Sequence, residues 1–275
     1  MPLSYLVYPS PEMRPFSDID LFIAKEKFEA AKRAFLGLGY AMPNAISGEY
    51  ASGQQSFEKT DAYGVEHVFD VHWTISNPLV FSGMLTFEEA RRSSIPVPAI
   101  DPLARTLCFE QALLLACVHR VAHHAGEQRP AWLEDIHRLA GRMGKSGLEA
   151  AVCLAKEKKM WAVVREGLAV ARDRFGTELP AEILDTPGPE ELSAAYLKPG
   201  PRRWRDFYHN LQSLPKASEK LRYLREISFP SPAYMKAKYG IRVGGFLPIY
   251  YVHRGLGGIT KLFTLGTRQV KIYRP

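Results

Sequence analysis

The chain has 275 residues and a formal charge of +7, from 36 Lys and Arg against 29 Asp and Glu, with 46% hydrophobic and 24% charged residues. These proportions exclude a disordered chain, a collagen and a coiled-coil rod, and the length suits one large domain or two small ones at about 100–200 residues each. The charge is uneven: residues 198–275 hold 16 of the bases and three acids (Asp206, Glu219, Glu226), a balance of +13, and residues 1–197 hold the other 20 bases and 26 acids, a balance of −6. A basic third of this kind predicts a polyanion or a membrane surface as partner; the plainer alternative is that it packs on the acidic body.

In chain order, Leu3–Tyr8 reads as the end of a helix, and Pro9, Pro11 and Pro15 then force an extended loop. Ile19–Ala24 reads as a strand and Lys25–Leu38 as a helix, with Phe28, Ala31, Phe35 and Leu38 on one face and a stop at Gly39. Strands follow at Gln55–Lys59 and Val65–Trp73, with an edge piece at Ile95–Ile100 limited by Pro96 and Pro98. After Pro102 helical periodicity takes over. Helices are predicted at Leu103–Ala122, Pro130–Arg142, Leu148–Lys156, Trp161–Phe175, Arg202–Leu214 and Ala217–Ile227. Leu184–Glu191 is a proline-interrupted link, and Phe246–Leu265 is glycine-rich and helical in part.

The predicted fold class is therefore α+β: a small mixed-sheet α/β domain over residues 1–100, a helical domain over 101–197 and a basic helical extension over 198–275. A cleft between the first two is the default ligand site. Cys108, Cys117 and Cys153 make no metal or redox spacing and read as buried thiols in a reducing compartment, hence a cytoplasmic protein. No signal peptide opens the chain. Ala112–Val118 is too short to span a bilayer, and Phe246–Leu265 is cut by Pro248, His253, Arg254 and Lys261, so no transmembrane segment is predicted.

The sharpest local feature is Arg14-Pro-Phe-Ser17-Asp18-Ile-Asp20-Leu-Phe-Ile23. Residues two apart in a strand share a face, so Asp18 and Asp20 point one way and Ile19, Leu21 and Ile23 point into a core. Two carboxylates that close repel each other unless a cation lies between them. A second strand carries Val68-Phe-Asp70-Val-His72-Trp73, with Val68, Asp70 and His72 on one face. If the two strands are neighbours, Asp70 completes a three-carboxylate cluster. Three carboxylates holding two Mg²⁺ suit in-line phosphoryl or nucleotidyl transfer, with Asp70 assisting deprotonation of the attacking hydroxyl. The structural alternative has Asp18 capping a turn, Asp20 paired with Arg14 and Asp70 solvated at an edge.

Ser17-Asp18-Ile-Asp20-Leu21, a helix ending Leu38-Gly39-Tyr40, and Phe69-Asp70-Val-His72-Trp73 together resemble the DNA polymerase beta-type nucleotidyltransferase superfamily. The closer resemblance is to its bacterial branch of uncharacterised nucleotidyltransferases, which also carries two histidines four apart on a helix and a Trp-Leu-x-Asp segment. Here these are His119-Arg-Val-Ala-His123 and Trp132-Leu-Glu-Asp135, and the resemblance covers residues 3–145. It implies that Asp18, Asp20 and Asp70 are catalytic and hold two Mg²⁺. It also implies a nucleoside triphosphate such as ATP as substrate and a hydroxyl compound as acceptor. The superfamily's Gly-Ser or Lys-Gly phosphate turn, which would precede the Asp pair, has no counterpart after Met1. Ser4 and Ser17 lack an adjacent glycine, which leaves a start further upstream, a lost function or a rebuilt site.

The nucleotide-binding candidates are Arg14, Ser17, His72, His119 and His123. Arg14 reaches either a triphosphate or a salt bridge with Glu12 or Asp20. His72 tunes the metal site, touches a phosphate or packs at a strand end. His119 and His123 share a helix face; zinc is disfavoured because the glutamate of an H-E-x-x-H helix is missing. By resemblance they face the cleft; the alternative bonds them to Asp135 or a backbone carbonyl. Gly255-Leu-Gly-Gly258-Ile-Thr-Lys261 lacks the Gly-Lys-[Ser/Thr] ending of a phosphate loop. Arg202-Arg203-Trp204-Arg205, with Lys220, Arg222, Tyr223 and Arg225, mixes cations and aromatics as nucleic-acid binders do, and an amphipathic membrane-surface helix or a solvated face fits as well. The expected activity is Mg²⁺-dependent transfer of a nucleoside monophosphate; the alternative is a degenerate, antitoxin-like binding protein on the same fold.

Overall fold

A computed structural model describes residues 2–43, 48, 50, 52–124, 128–198, 202–241 and 247–263. The N-terminal region contains α1 (Pro2–Leu6), β1 (Ile19–Phe22), α2 (Phe28–Gly37), β2 (Gln54–Thr60), β3 (Glu66–His72), α3 (Leu79–Ser82), α4 (Phe87–Arg92) and the two-residue strands β4 (Ile95–Pro96) and β5 (Arg105–Thr106). The helical region contains α5 (Phe109–His124), α6 (Pro130–Glu157), α7 (Trp161–Phe175), α8 (Ala181–Asp185), α9 (Arg202–Ser213), α10 (Ala217–Ser228), α11 (Pro232–Tyr239) and α12 (Leu247–Phe263). The fold is α+β, as expected: one small mixed sheet followed by helices.

β3 is the central strand of a three-stranded sheet, parallel to β1 and antiparallel to β2. Ile19, Phe69 and Phe57 lie side by side on one face. Phe35 of α2 covers that face, with its ring 4.6 Å from Phe57 and 5.3 Å from Phe69. Phe28 meets Trp73 edge-on at 4.8 Å. Because the side-chain period is two, the opposite face receives Asp20, Asp70 and Ser56. Leu21 was expected in the core but is 37% exposed, because β1 is an edge strand and α2 covers the sheet on its β2–β3 side.

Several boundaries differ from the sequence reading for local reasons. The helix expected from Leu103 begins at Phe109, because Asp101 Oδ1 accepts from Leu103 N (2.8 Å) and the turn brings Thr106 back to pair with Ile95. Of the expected strand Ile95–Ile100, only Ile95–Pro96 pairs. The two helices expected within 130–156 are one element, α6, kinked at Gly144, where φ is +63°. α11 was not anticipated, although its signals are in the sequence: Ser231 Oγ accepts from Tyr234 N, Pro232 opens the helix and Gly240 (φ +63°) ends it. Residues 246, 264 and 265 of the expected Phe246–Leu265 segment lie outside the described residues. Among the described residues no helix is long and apolar enough to cross a membrane.

The main core lies among α5, α6 and α7, where Leu113, Cys117, Val121, Leu133, Ile136, Val164 and Leu168 are buried. Burial pushes the Cys117 thiol up to about 12. Of the three thiols expected to be buried only Cys117 is; Cys108 is half-buried, and Cys153 is exposed because the inward face of that stretch of α6 is taken by Ala151, Val152 and Ala155. α7 approaches α5 at Gly167, where a Cβ would sit 2.7 Å from Cys117 Sγ. Gly167→Val is expected to destabilise the fold by about 1–3 kcal/mol through overpacking. Gly141→Ala, at an exposed helical position with open space around it, is expected to stabilise by about 0.5–1 kcal/mol. Urea unfolding of both variants measures the contrast.

Candidate active site

The parallel register places Asp20 directly opposite Asp70, with Phe22 opposite His72. One donor atom each from Asp20, Asp70 and His72 lies within 4.8 Å of the others. His72 Nε2 is 2.9 Å from Asp20 Oδ1, and its buried Nδ1 has no hydrogen-bond partner among the described residues. Asp18 precedes β1, is exposed, and accepts from Ser17 Oγ at 3.4 Å. Its carboxylate is not part of the Asp20–Asp70–His72 group.

Asp70 is held from both sides by neutral donors that the sequence reading did not single out. Ser56 Oγ donates to Oδ1, and Gln54 Nε2 donates to Oδ2 at 2.9 Å. Both come from β2, where Ser56 is the register partner of Asp70. Gln54 is fixed in turn by Asn77 Nδ2 (2.6 Å), and Asn77 Oδ1 accepts from Gly53 N (2.9 Å). Gly53 is required there, since a Cβ would lie 1.5 Å from Thr74 Oγ1. The period-two polar pattern Gln54-x-Ser56 was the available signal.

The basic third buttresses this relay. Asn210 Oδ1 of α9 accepts from Leu79 N (2.8 Å), and Asn210 Nδ2 donates to Tyr223 Oη of α10 (3.2 Å). Glu226 Oε2 accepts from Tyr50 N (2.7 Å). α9 and α10 thereby grip the chain on both sides of the Gln54–Asn77 contact.

The two histidines of α5 stand over the same cleft. Their rings are 5.2 Å apart, His123 Nε2 is 3.3 Å from Ser76 Oγ, and His119 meets Trp132 edge-on at 6.0 Å. Surrounding protein holds the His119 pKa below its usual value; the charges of Asp20 and Asp18 pull upward without matching that effect. Asp20 also lines the cleft, with its side chain 71% open to solvent. The packing around it works to raise its pKa, but the hydrogen bond and charge of His72 and the charge of His119 outweigh this and leave the carboxyl below the usual range. At neutral pH the cleft therefore pairs an ionised Asp20 with an uncharged His119.

Arg14 and Asp135 have a different part from the one expected. Arg14 binds Asp135 through Nε (2.9 Å) and Nη2 (2.9 Å), rather than Glu12 or Asp20. Asp135 is buried and also accepts from Tyr8 Oη (2.7 Å), so its carboxylate serves Arg14 and Tyr8 where a histidine was expected. Arg14 Nη1 closes on Pro15 O (2.8 Å). This fork ties the loop that leads into β1 to α6.

The uncharacterised nucleotidyltransferase family matches residues 1–176, which span the sheet, the acidic cleft and α5 to α7. The chain belongs to that family. Neither the curated proteins nor the solved structures yield a match. The family match ends before α8, so the helices that grip the Gln54–Asn77 relay lie outside it.

Two outcomes follow from this geometry. His119 is expected to titrate below about 6.5, the ordinary histidine value, and Asp20→Asn is expected to lower it further by removing the anion that favours the imidazolium; NMR titration of the ring protons reads both. Arg14→Met leaves Asp135 buried without its cation. It is expected to cost no more than the about 3–5 kcal/mol typical of breaking a fully buried pair, because Arg14 is 24% exposed. The Arg14→Met/Asp135→Leu double variant is expected to recover part of that loss in urea unfolding.

Proposed function

We propose that the chain transfers a nucleoside monophosphate from a nucleoside triphosphate to a hydroxyl acceptor, with a divalent cation, and releases pyrophosphate. The observation that carries this reading is the Asp20–Asp70 register pair with His72 beside it. The donor set fits the group: two carboxylates on neighbouring strands, with an imidazole hydrogen-bonded to one of them, suit a hard divalent cation such as Mg²⁺. Asp20 and Asp70 would hold the cation, and Asp18 at the mouth of the cleft is the residue on which a second ion would depend. When bound, the cation supplies charge neutralisation for the triphosphate and lowers the pKa of the acceptor hydroxyl.

The chain's own residues have distinct tasks in this scheme. Ser56 and Gln54 hold Asp70 in one orientation, so that a carboxylate oxygen can accept the proton of the acceptor hydroxyl. The acceptor oxygen then forms its bond to the α-phosphorus as the α–β bridging bond breaks and pyrophosphate leaves. His72 orients Asp20. Uncharged His119, with His123 behind it, can donate a hydrogen bond to a phosphate oxygen without competing with the cation for the carboxylates. Ser17 lies beside Asp18 at the same mouth, and Arg14 positions the loop that carries both.

The test is pyrophosphate release from labelled triphosphate with Mg²⁺, screened over small hydroxyl acceptors. Asp20→Asn and Asp70→Asn are each expected to lower the rate by about two to three orders of magnitude, as loss of a principal electrostatic group does, with unchanged circular dichroism. Full activity in Asp20→Asn would remove the assignment. Nucleotide binding without pyrophosphate release from the wild-type chain would select the degenerate binding protein instead.

A further inference from the structure

His72 has a place in the acidic cleft that a hydrogen bond to Asp20 does not exhaust. It follows Asp70 by two residues on β3, so both side chains leave the sheet on the face that also carries Asp20 of β1. One donor atom of each lies within 4.8 Å of the other two, and among the described residues no other group of three His, Cys, Asp or Glu side chains is so arranged. Two neighbouring ligands of a cation, at right angles and with bonds of about 2.1 Å, lie about 3.0 Å apart. His72 Nε2 and Asp20 Oδ1 stand 2.9 Å apart. The pair already has the spacing of adjacent ligands, so exchanging the proton between them for an ion needs little movement of either side chain.

Each of the three donors can spare a lone pair. Asp70 accepts one hydrogen bond at each oxygen, from Ser56 and from Gln54, and each oxygen keeps a second lone pair. The Asp20 carboxylate opens to the cleft. His72 Nδ1 is buried with no partner among the described residues, so no bond there pins the tautomer. Moving the ring proton from Nε2 to Nδ1 replaces a buried acceptor by a buried donor and frees the Nε2 lone pair. The ring stays neutral, with one proton before and after.

We infer that His72 is a direct ligand of the cation, beside Asp20 and Asp70, and that the site selects a first-row transition ion, Mn²⁺, over Mg²⁺. Mg²⁺ favours oxygen and dehydrates reluctantly, whereas an imidazole nitrogen favours the transition series that begins with Mn²⁺. Two carboxylates keep the site at the hard end of that series. Softer ions gain from a second imidazole or a thiolate, and the group holds neither. The inference rests on the transferase reading for the cation's part in the reaction, while its donor set is tested by binding alone. An imidazole that only orients Asp20 gives no preference between the two ions.

The experiment uses the full chain without nucleotide. Mn²⁺ and Mg²⁺ are titrated by calorimetry, and the Mn²⁺-loaded protein is read by electron spin-echo envelope modulation, which detects nitrogen bonded to the ion. The wild-type chain is expected to bind Mn²⁺ at least about tenfold more tightly than Mg²⁺ and to show the coupling of an imidazole nitrogen. His72→Gln keeps an N–H for Asp20 and removes the ring. It is expected to lose the nitrogen coupling and at least about tenfold in Mn²⁺ affinity, with Mg²⁺ affinity changed by less than about threefold. No nitrogen coupling in the wild-type chain, coupling that survives in His72→Gln, or equal losses for both ions would overturn the inference. The wild-type spectrum decides even if the variant misfolds. Mn²⁺ coupled to His72 in a chain that releases no pyrophosphate would remove the transferase reading and leave this ligand in place. Pyrophosphate release from a chain whose Mn²⁺ shows no nitrogen would do the reverse.

Discussion

Two carboxylates facing each other across a parallel strand pair are an electrostatic cost that the surrounding structure has to offset. The β1–β3 register makes Asp20 and Asp70 neighbours, and their repulsion would favour protonating one of them in a bare sheet. His72 supplies a hydrogen bond and positive character to Asp20, while Ser56 and Gln54 spread the charge of Asp70 over two neutral donors. A slip of one residue would send one of the aspartates to the α2 side of the sheet, so the aromatic packing of Phe35 on Phe57 and Phe69 also fixes the polar face. The core and the cleft are two sides of one register.

That register is held from outside the sheet as well. The Arg14–Asp135 fork binds the loop before β1 to α6, and α9 and α10 grip the chain around Gln54 and Asn77. A small sheet gains stability from packing against helices. The helices do more than cover a hydrophobic face: they supply specific hydrogen bonds to the segments that aim the aspartates. The basic third therefore has a structural task, buttressing the cleft through Asn210 and Glu226.

Much of this was legible in the residues. Asp18-x-Asp20 and Asp70-x-His72 stand out because acids in apolar strands are costly, and period two assigns them to one side. The helix spacing of His119 and His123 likewise put both on one helix face. Arg14 and Asp135 were visible as charged residues but not as partners, since 121 residues separate them and nothing local couples them. Gln54 and Asn77 carry no charge and sit in ordinary polar sequence, so their role emerges only when β2 is laid beside β3. The helix boundary at Phe109 depended on a side chain–backbone turn at Asp101 that periodicity does not register.

The sequence by itself determined the order of elements, the face on which Asp20 and Asp70 lie and the separation of an acidic body from a basic third. These properties are local or additive: strand and helix periods, turn residues and summed charge. The tertiary structure alone decided that Asp20 pairs with Asp70 while Asp18 lies outside the group, and that Arg14 belongs to Asp135. It also decided that Asn210 and Glu226 of the basic third brace the segments around the cleft. Each depends on contacts between distant segments, where register, burial and competing hydrogen bonds choose one partner among several of the same charge.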